Sequence, residues 1–218
     1  HAMELEGGGF CYFNNVAIAA KKLLKENHVD RVMIFDFDAH HGNGTQDIFY
    51  ENDEVLFMSF HQSGKTLFPE SGFPEEVGKG SGEGFTFNVP FSPGAGDKMY
   101  YSGLKQFFEP VVEQYNPDMI LVSAGFDADF RDPLTRLELS SNGYQIIGDF
   151  LIGKAEEICN GKISFVLEGG YEVEASSVSV TKIIRSLASS ERLDLPKSRI
   201  EGSYFEEVKD ILGEYWIL

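Results

Sequence analysis

Cysteine is scarce. Only Cys11 and Cys159 occur in the 218 residues, too few for a disulfide framework, so a reducing compartment, the cytoplasm, is expected. Long apolar runs are missing as well. None reaches the ~18 residues that a membrane helix needs, and no secretory-leader pattern opens the chain. Cationic residues are few: Lys and Arg number 18 against 35 Asp and Glu, a formal net charge of −17. That balance argues against a nucleic-acid binder, because phosphate contacts need clustered Lys and Arg. An acidic, solvated surface is the plain reading of the excess, and it leaves room for a cationic ligand. Internal repeats and low-complexity tracts are absent. With 42% apolar and 24% charged residues, the composition is that of a globular chain of one domain, or one and a half.

What is present has an alternating rhythm. Arg31–Asp38, Val55–Phe60, Met119–Ser123 and Ile163–Leu167 are short, nearly unbroken apolar runs, the pattern of strands buried on both faces of a parallel sheet. Between them lie helical patterns over Asn15–Glu26, Asp97–Tyr115, Ser140–Cys159 and Val173–Ala188. Asn116-Pro117 stops the second, since proline disfavours a helical residue before it. Strands alternating with helices of this length predict βαβ units and an α/β fold. From Gln62 to Gly96 the rhythm lapses into eight glycines and four prolines. This reads as a long irregular loop of the kind that carries function, and it holds Phe68, Phe73 and Phe85. The pattern lapses again after Ser189 and resumes as a short amphipathic helix over Phe205–Leu212.

Ligands in open α/β sheets bind beyond the carboxyl ends of the strands. The first strand runs into Asp36-Phe-Asp-Ala-His-His-Gly-Asn-Gly-Thr45, and so many ionisable groups can be buried only if paired or metal-bound. Asp38 and His40, two apart in an extended segment, would point to one side. The strand ending in Ala124-Gly-Phe-Asp127 brings Asp127 to the same rim. Two carboxylates and an imidazole with an open position form a catalytic rather than structural zinc set. The competing reading is a surface turn whose acids cap a following helix. The last strand ends in Glu168-Gly-Gly-Tyr171, where a phenol beside a cation can donate to a developing oxyanion.

Together Gly9-Phe-Cys-Tyr-Phe-Asn14, Asp36–Thr45, Ser123–Ala128 and Leu167-Glu-Gly-Gly-Tyr171 resemble the zinc-dependent histone deacetylases and their acetylpolyamine amidohydrolase relatives, from His1 to about Ala188. The resemblance implies a three-layer arginase/deacetylase-like fold with a mostly parallel sheet flanked by helices. It also implies zinc on Asp38, His40 and Asp127, with Tyr171 stabilising the transition state. Phe10 and Phe68 match the aromatic walls of an acyl-lysine tunnel, with Gly9 and Leu134 nearby. Asp36, Asp38, His40, Ser59 and Phe60 match a structural potassium site. Asn43 and the Ser123–Asp127 motif match the class II and bacterial amidohydrolase branch.

The family carries two adjacent histidines just upstream of Gly-Phe-Cys, and here His1 matches the second. The resemblance thus implies a deacetylase domain over residues 1–190 shortened at its start, followed by an extension over 191–218. The expected reaction removes acetyl or other acyl groups from lysine side chains or acetylated polyamines. His1 is the candidate base, oriented by Asn43, and His41 is the alternative, expected to be tied up structurally. His28 reads as a helix-end residue and His61 as a core or loop residue. Two rival readings are a metal-binding module left weak or silent without the complete histidine pair, and a fragment that folds only as a dimer. An open sheet edge predicts self-association in any case, most simply a symmetric dimer.

Overall fold

The computed structural model describes residues 1–189, 193 and 205–218. Its centre is a five-stranded, all-parallel sheet in the order β3-β2-β1-β4-β5. The strands are β1 (Val32–Asp36), β2 (Val55–Gln62), β3 (Thr86–Phe91), β4 (Met119–Ala124) and β5 (Ile163–Leu167). Helices α1 (Asn15–Lys25), α2 (Asn43–Phe49), α3 (Asp97–Gly103), α4 (Glu109–Tyr115), α5 (Ser141–Cys159), α6 (Val173–Ala188) and α7 (Glu206–Leu212) fall on its two faces. The α/β expectation and the flanked parallel sheet are both found.

Side-chain alternation divides the interior in two. Val32, Ile34, Val55, Phe57 and Leu121 point to one face, where Val16, Ala17 and Ala20 of α1 and Phe49 of α2 cover them. Met33, Phe35, Leu56, Met58, Phe60, Ile120 and Val122 point to the other, a much larger core that includes α3, α4, α5 and α7. Phe35 anchors that core, its ring 5.0 Å from both Phe60 and Phe108. Each such fully buried side chain contributes about 1.5–3 kcal/mol.

Four details differ from the sequence reading. First, the Gln62–Gly96 stretch is not one irregular loop, because β3 lies within it. Pairing with β2, Phe57 against Thr86 through Gln62 against Phe91, overrides the glycine and proline content, and Pro90 is tolerated on this outermost strand. Second, β1 ends at Asp36, so Asp38 and His40 belong to a turn rather than a strand. Third, α2 follows directly, its short polar sequence having no apolar periodicity to show it. Fourth, the expected helix over Asp97–Tyr115 is interrupted by a π-helical segment at Leu104–Phe108, which keeps Phe107 and Phe108 inward. Asn116 ends α4 in a left-handed conformation just before Pro117. Unlike the inner strands, β5 is only half-buried. The short C-terminal helix is present, and Phe205, Val208 and Leu212 join the larger core. The Trp216 Nε1–H donates to the Gly84 carbonyl at 2.8 Å, tying the C-terminus beside β3.

Candidate metal centre

Register sets the site. Asp36 is aligned with Ser59 on β2 and Ser123 on β4, so the turns after β1, β4 and β5 leave the sheet at one level. The first turn is closed by carboxylates: Asp36 Oδ1 accepts the Asp38 N–H at 3.0 Å, and Asp38 Oδ1 accepts the His40 N–H at 2.8 Å. These bonds, not extended backbone, bring Asp38 and His40 together. Asp127 joins them through its Oδ1, which accepts the Ala39 N–H at 2.8 Å. The turn after β5 contributes the Gly169 N–H, which donates to Asp38 Oδ2 at 2.8 Å. At Gly125 a Cβ would lie 2.1 Å from Asp38 Oδ2, so only glycine permits this approach.

The ligand atoms of Asp38, His40 and Asp127 lie within 4.8 Å of one another. His40 Nδ1 is 2.7 Å from Asp127 Oδ2 and 3.3 Å from Asp38 Oδ1. Burial would lower the imidazole pKa, but hydrogen bonding and charge from Asp127 and Asp38 raise it to about 10. Burial and then the charge of Asp38 push the Asp127 carboxyl up to about 7. Burial, then Asp38, likewise push Glu168 up to about 7. The cluster therefore favours an added positive charge, and two carboxylate oxygens with one imidazole nitrogen are a donor set that suits zinc. The residues fit the metal.

His40 also lines a cavity of about 540 Å³, together with His1, Gly9, Phe10, Leu67, Phe68, Leu134 and Tyr171. Gly9, Phe10, Phe68 and Leu134 are thus brought together on one lining. Leu67 was missed; its apolar character beside Phe68 was the only clue. The Phe10 and Tyr171 rings are 6.1 Å apart, and the His1 ring lies 5.3 Å from Phe68 and 6.1 Å from His40. His1 Nδ1 is 2.7 Å from Asn43 Oδ1. Gly9, at φ +52, gives the His1 ring room, since a Cβ there would come within 2.1 Å of its Cδ2. Burial, and then the charge of Asp38, raise the Tyr171 phenol to about 12, so it keeps its proton near neutrality.

These residues and their order also match known proteins. Residues 1–187 match the family described as Histone deacetylase domain. The chain belongs to the histone deacetylase family. A probable deacetylase of Archaeoglobus fulgidus is 48% identical over 209 residues, covering 95% of this chain and 56% of that protein. A histone deacetylase-like amidohydrolase of Pseudomonas aeruginosa is 39% identical over 173 residues, 78% of this chain and 45% of that protein. The chain thus spans about half the length of these deacetylase relatives. Among solved structures, the HDA15 HD domain superposes with a TM-score of 0.88 at 34% identity, covering 99% of this chain and 59% of that one. The histone deacetylase Clr3 gives 0.85 at 33% identity, covering 94% and 35%. The arginase/deacetylase fold of the family is the fold of this chain.

The remaining histidine of the Asp36–Thr45 motif, His41, is not part of the Asp38–His40–Asp127 group. It is hydrogen-bonded through Nδ1 to Ser71 Oγ at 2.8 Å and through Nε2 to Gln46 Oε1 at 3.0 Å, which agrees with a structural role. His61 is buried in the core beside it, and His28 sits just past the end of α1, 3.1 Å from Glu26. Of the residues matched to potassium, Asp36, Asp38, His40, Ser59 and Phe60 are all buried. Ser59 Oγ lies 2.9 Å from His61 Nδ1. Among the described residues no helix is long and apolar enough to cross a membrane.

Proposed function

We propose that this chain is the site-bearing part of a zinc-dependent amide hydrolase that removes acyl groups from lysine side chains or acetylated polyamines. The carrying observation is the Asp38–His40–Asp127 cluster, whose His40 also lines an apolar cavity beside a phenol and a second imidazole. Zinc held there would polarise the amide carbonyl and lower the pKa of a water, both as a Lewis acid. The chain's own residues do the rest. Phe10, Phe68 and Leu134 accept the long uncharged stem of an acyl-capped amine and exclude water from it. His1 Nδ1–H donates to Asn43 Oδ1, which leaves Nε2 free to take a proton from the attacking water and return it to the leaving amine. Tyr171, protonated, donates to the oxyanion as charge develops there.

The same reading carries a potassium ion among Asp36, Asp38, His40, Ser59 and Phe60, a reducing cytoplasmic setting, and no nucleic-acid partner. Dimerisation is supported by Leu167 on the outer strand and by Val173, Val178, Ile184 and Leu187 on α6, all exposed; sedimentation at micromolar concentration tests it. A second reading, a metal-binding module with weak or silent chemistry, is favoured by one fact: His1 and His40 are the only imidazoles among the described residues lining the cavity, and His40 is spent on metal. Metal analysis joined to turnover of a fluorogenic acetyl-lysine amide, with and without a hydroxamate, separates the readings. Zinc with hydroxamate-sensitive turnover supports the enzyme, zinc without turnover the silent module, and no zinc overturns both.

A further inference from the structure

The Tyr171 ring has little to hold it. Its backbone leaves β5 through Gly169 and Gly170, the latter at φ +136, a conformation that glycine visits freely but that fixes nothing downstream. Among the described residues the hydroxyl has no hydrogen-bond partner, and α6 begins only at Val173. Besides the edge contact with the Phe10 ring, what holds the residue directly is one buried carboxylate. Asp132, in the turns after β4 and only 7% exposed, accepts the Tyr171 N–H through Oδ2 at 2.8 Å. Its other oxygen, Oδ1, accepts the Leu134 N–H at 2.9 Å. Asp132 is itself held in its turn, its N–H donating to the Asp129 carbonyl at 2.9 Å.

We propose that Asp132 is a positioning residue that sets two walls of the cavity at once, fixing the Tyr171 phenol relative to the metal ligands and Leu134 relative to the entering stem. The proposal rests on the roles given above to Tyr171 and Leu134. A carboxylate is suited to the task because it only accepts and has two oxygens, and bonds from backbone N–H groups to an ionised acceptor are the stronger kind. Asparagine would not substitute. Its single oxygen could serve one N–H while its amide would set a donor against the other. The clamp extends to the cavity wall the tie that the Phe126 N–H makes to the Gly169 carbonyl at 2.8 Å nearer the sheet, so that both turns also end on one side chain. Misplacement of a reacting group by about 1 Å can cost ~10²-fold in rate, so so small a device has a large reach.

The test reads Tyr171 directly. With 3-fluorotyrosine at position 171, the metal-free protein should give one narrow ¹⁹F resonance. Asp132→Asn, and more strongly Asp132→Ala, should shift and broaden it. Glu174→Gln, which alters an exposed side chain three residues on at the start of α6, should leave it in place. With zinc and an acetyl-lysine substrate, Asp132→Asn should lower kcat and raise KM, together roughly 10–100-fold in kcat/KM, whereas Tyr171→Phe lowers kcat alone. The double variant should lose less than the product of the two. A 171 resonance unchanged in both Asp132 variants, each folded by circular dichroism, overturns the proposal. If Tyr171→Phe is itself without effect, the oxyanion role has failed and the resonance alone decides: displacement supports the clamp, constancy overturns it.

Discussion

His40 and His41 are neighbours in sequence and opposites in chemistry. His40 faces two carboxylates, and their charge outweighs burial to hold its pKa at about 10. His41 faces an amide, a hydroxyl and a second imidazole; burial first, and then His61, keep it well below the ordinary histidine range. Burial is severe for both. The sign of the shift is set by what stands opposite, and that divides the floor of the site into an acidic half that calls for a cation and a half neutral in its imidazoles, held together by hydrogen bonds. In the neutral half, Gln46 Nε2 donates to Glu76 Oε2 at 2.6 Å, and Glu76 in turn accepts the Gly72 and Phe73 N–H groups. This half holds the loop that carries Phe68.

The contrast can be broken most directly at Asp127. Asp127→Ala removes one of three ligands, and metal analysis should fall from about one zinc per chain to a small fraction. Full retention at unchanged affinity would show that the acidic half is not the metal site. Next in size is Tyr171→Phe, which should lower turnover by ~10²–10³ while leaving metal content and fold intact; a loss below about threefold removes the phenol from the oxyanion.

The neutral half is probed by acid. His61 is lowered to about 4 by burial, while the unfolded residue titrates near 6.5. Above that range both states hold a neutral imidazole. Between about 6.5 and 4 only the unfolded chain takes the proton. Stability is thus lost as the pH falls through this window, by up to about 3 kcal/mol from this residue. Chemical denaturation at pH 7 and pH 4 should show the parent changing less favourably on acidification than His61→Gln, and an equal pH dependence would contradict it. The raised carboxylates of the acidic half act in the opposite direction, so the difference between the two proteins is the quantity to read. The smallest effect is expected at Phe68→Ala, a severalfold rise in KM for acetyl-lysine substrates with little change in kcat, on the scale of about 1 kcal/mol, the low end for lost packing in an apolar slot. No change in either constant would take Phe68 out of the cavity wall.

Most of this was open to a reader of the sequence. The unbroken apolar runs of β1, β2 and β4 announce buried parallel strands, and ligands at their carboxyl ends follow from that topology. What stayed hidden has a physical cause in each case. β3 is built in a stretch rich in glycine and proline because pairing with β2, not its own propensity, makes it a strand. α2 is too short and polar to show a period. The convergence of Asp38 and His40 was foreseen for the wrong reason, since a carboxylate-closed turn delivers what alternation along a strand would have delivered. Asp132, Gln46 and Glu76 were passed over because a residue that holds a backbone has no motif of its own.

The C-terminal turn has a consequence for where a further strand could join the sheet. With Trp216 fastened to Gly84 and the Val77 carbonyl taking the Thr86 N–H at 3.4 Å, the β3 side of the sheet is stoppered, while β5 at the other side is only half-buried. A sheet open at both sides is a link that can be threaded into a fibre; one stoppered side makes it an end piece. Among the described residues it is β5, not β3, that a further strand of any origin would have room to join.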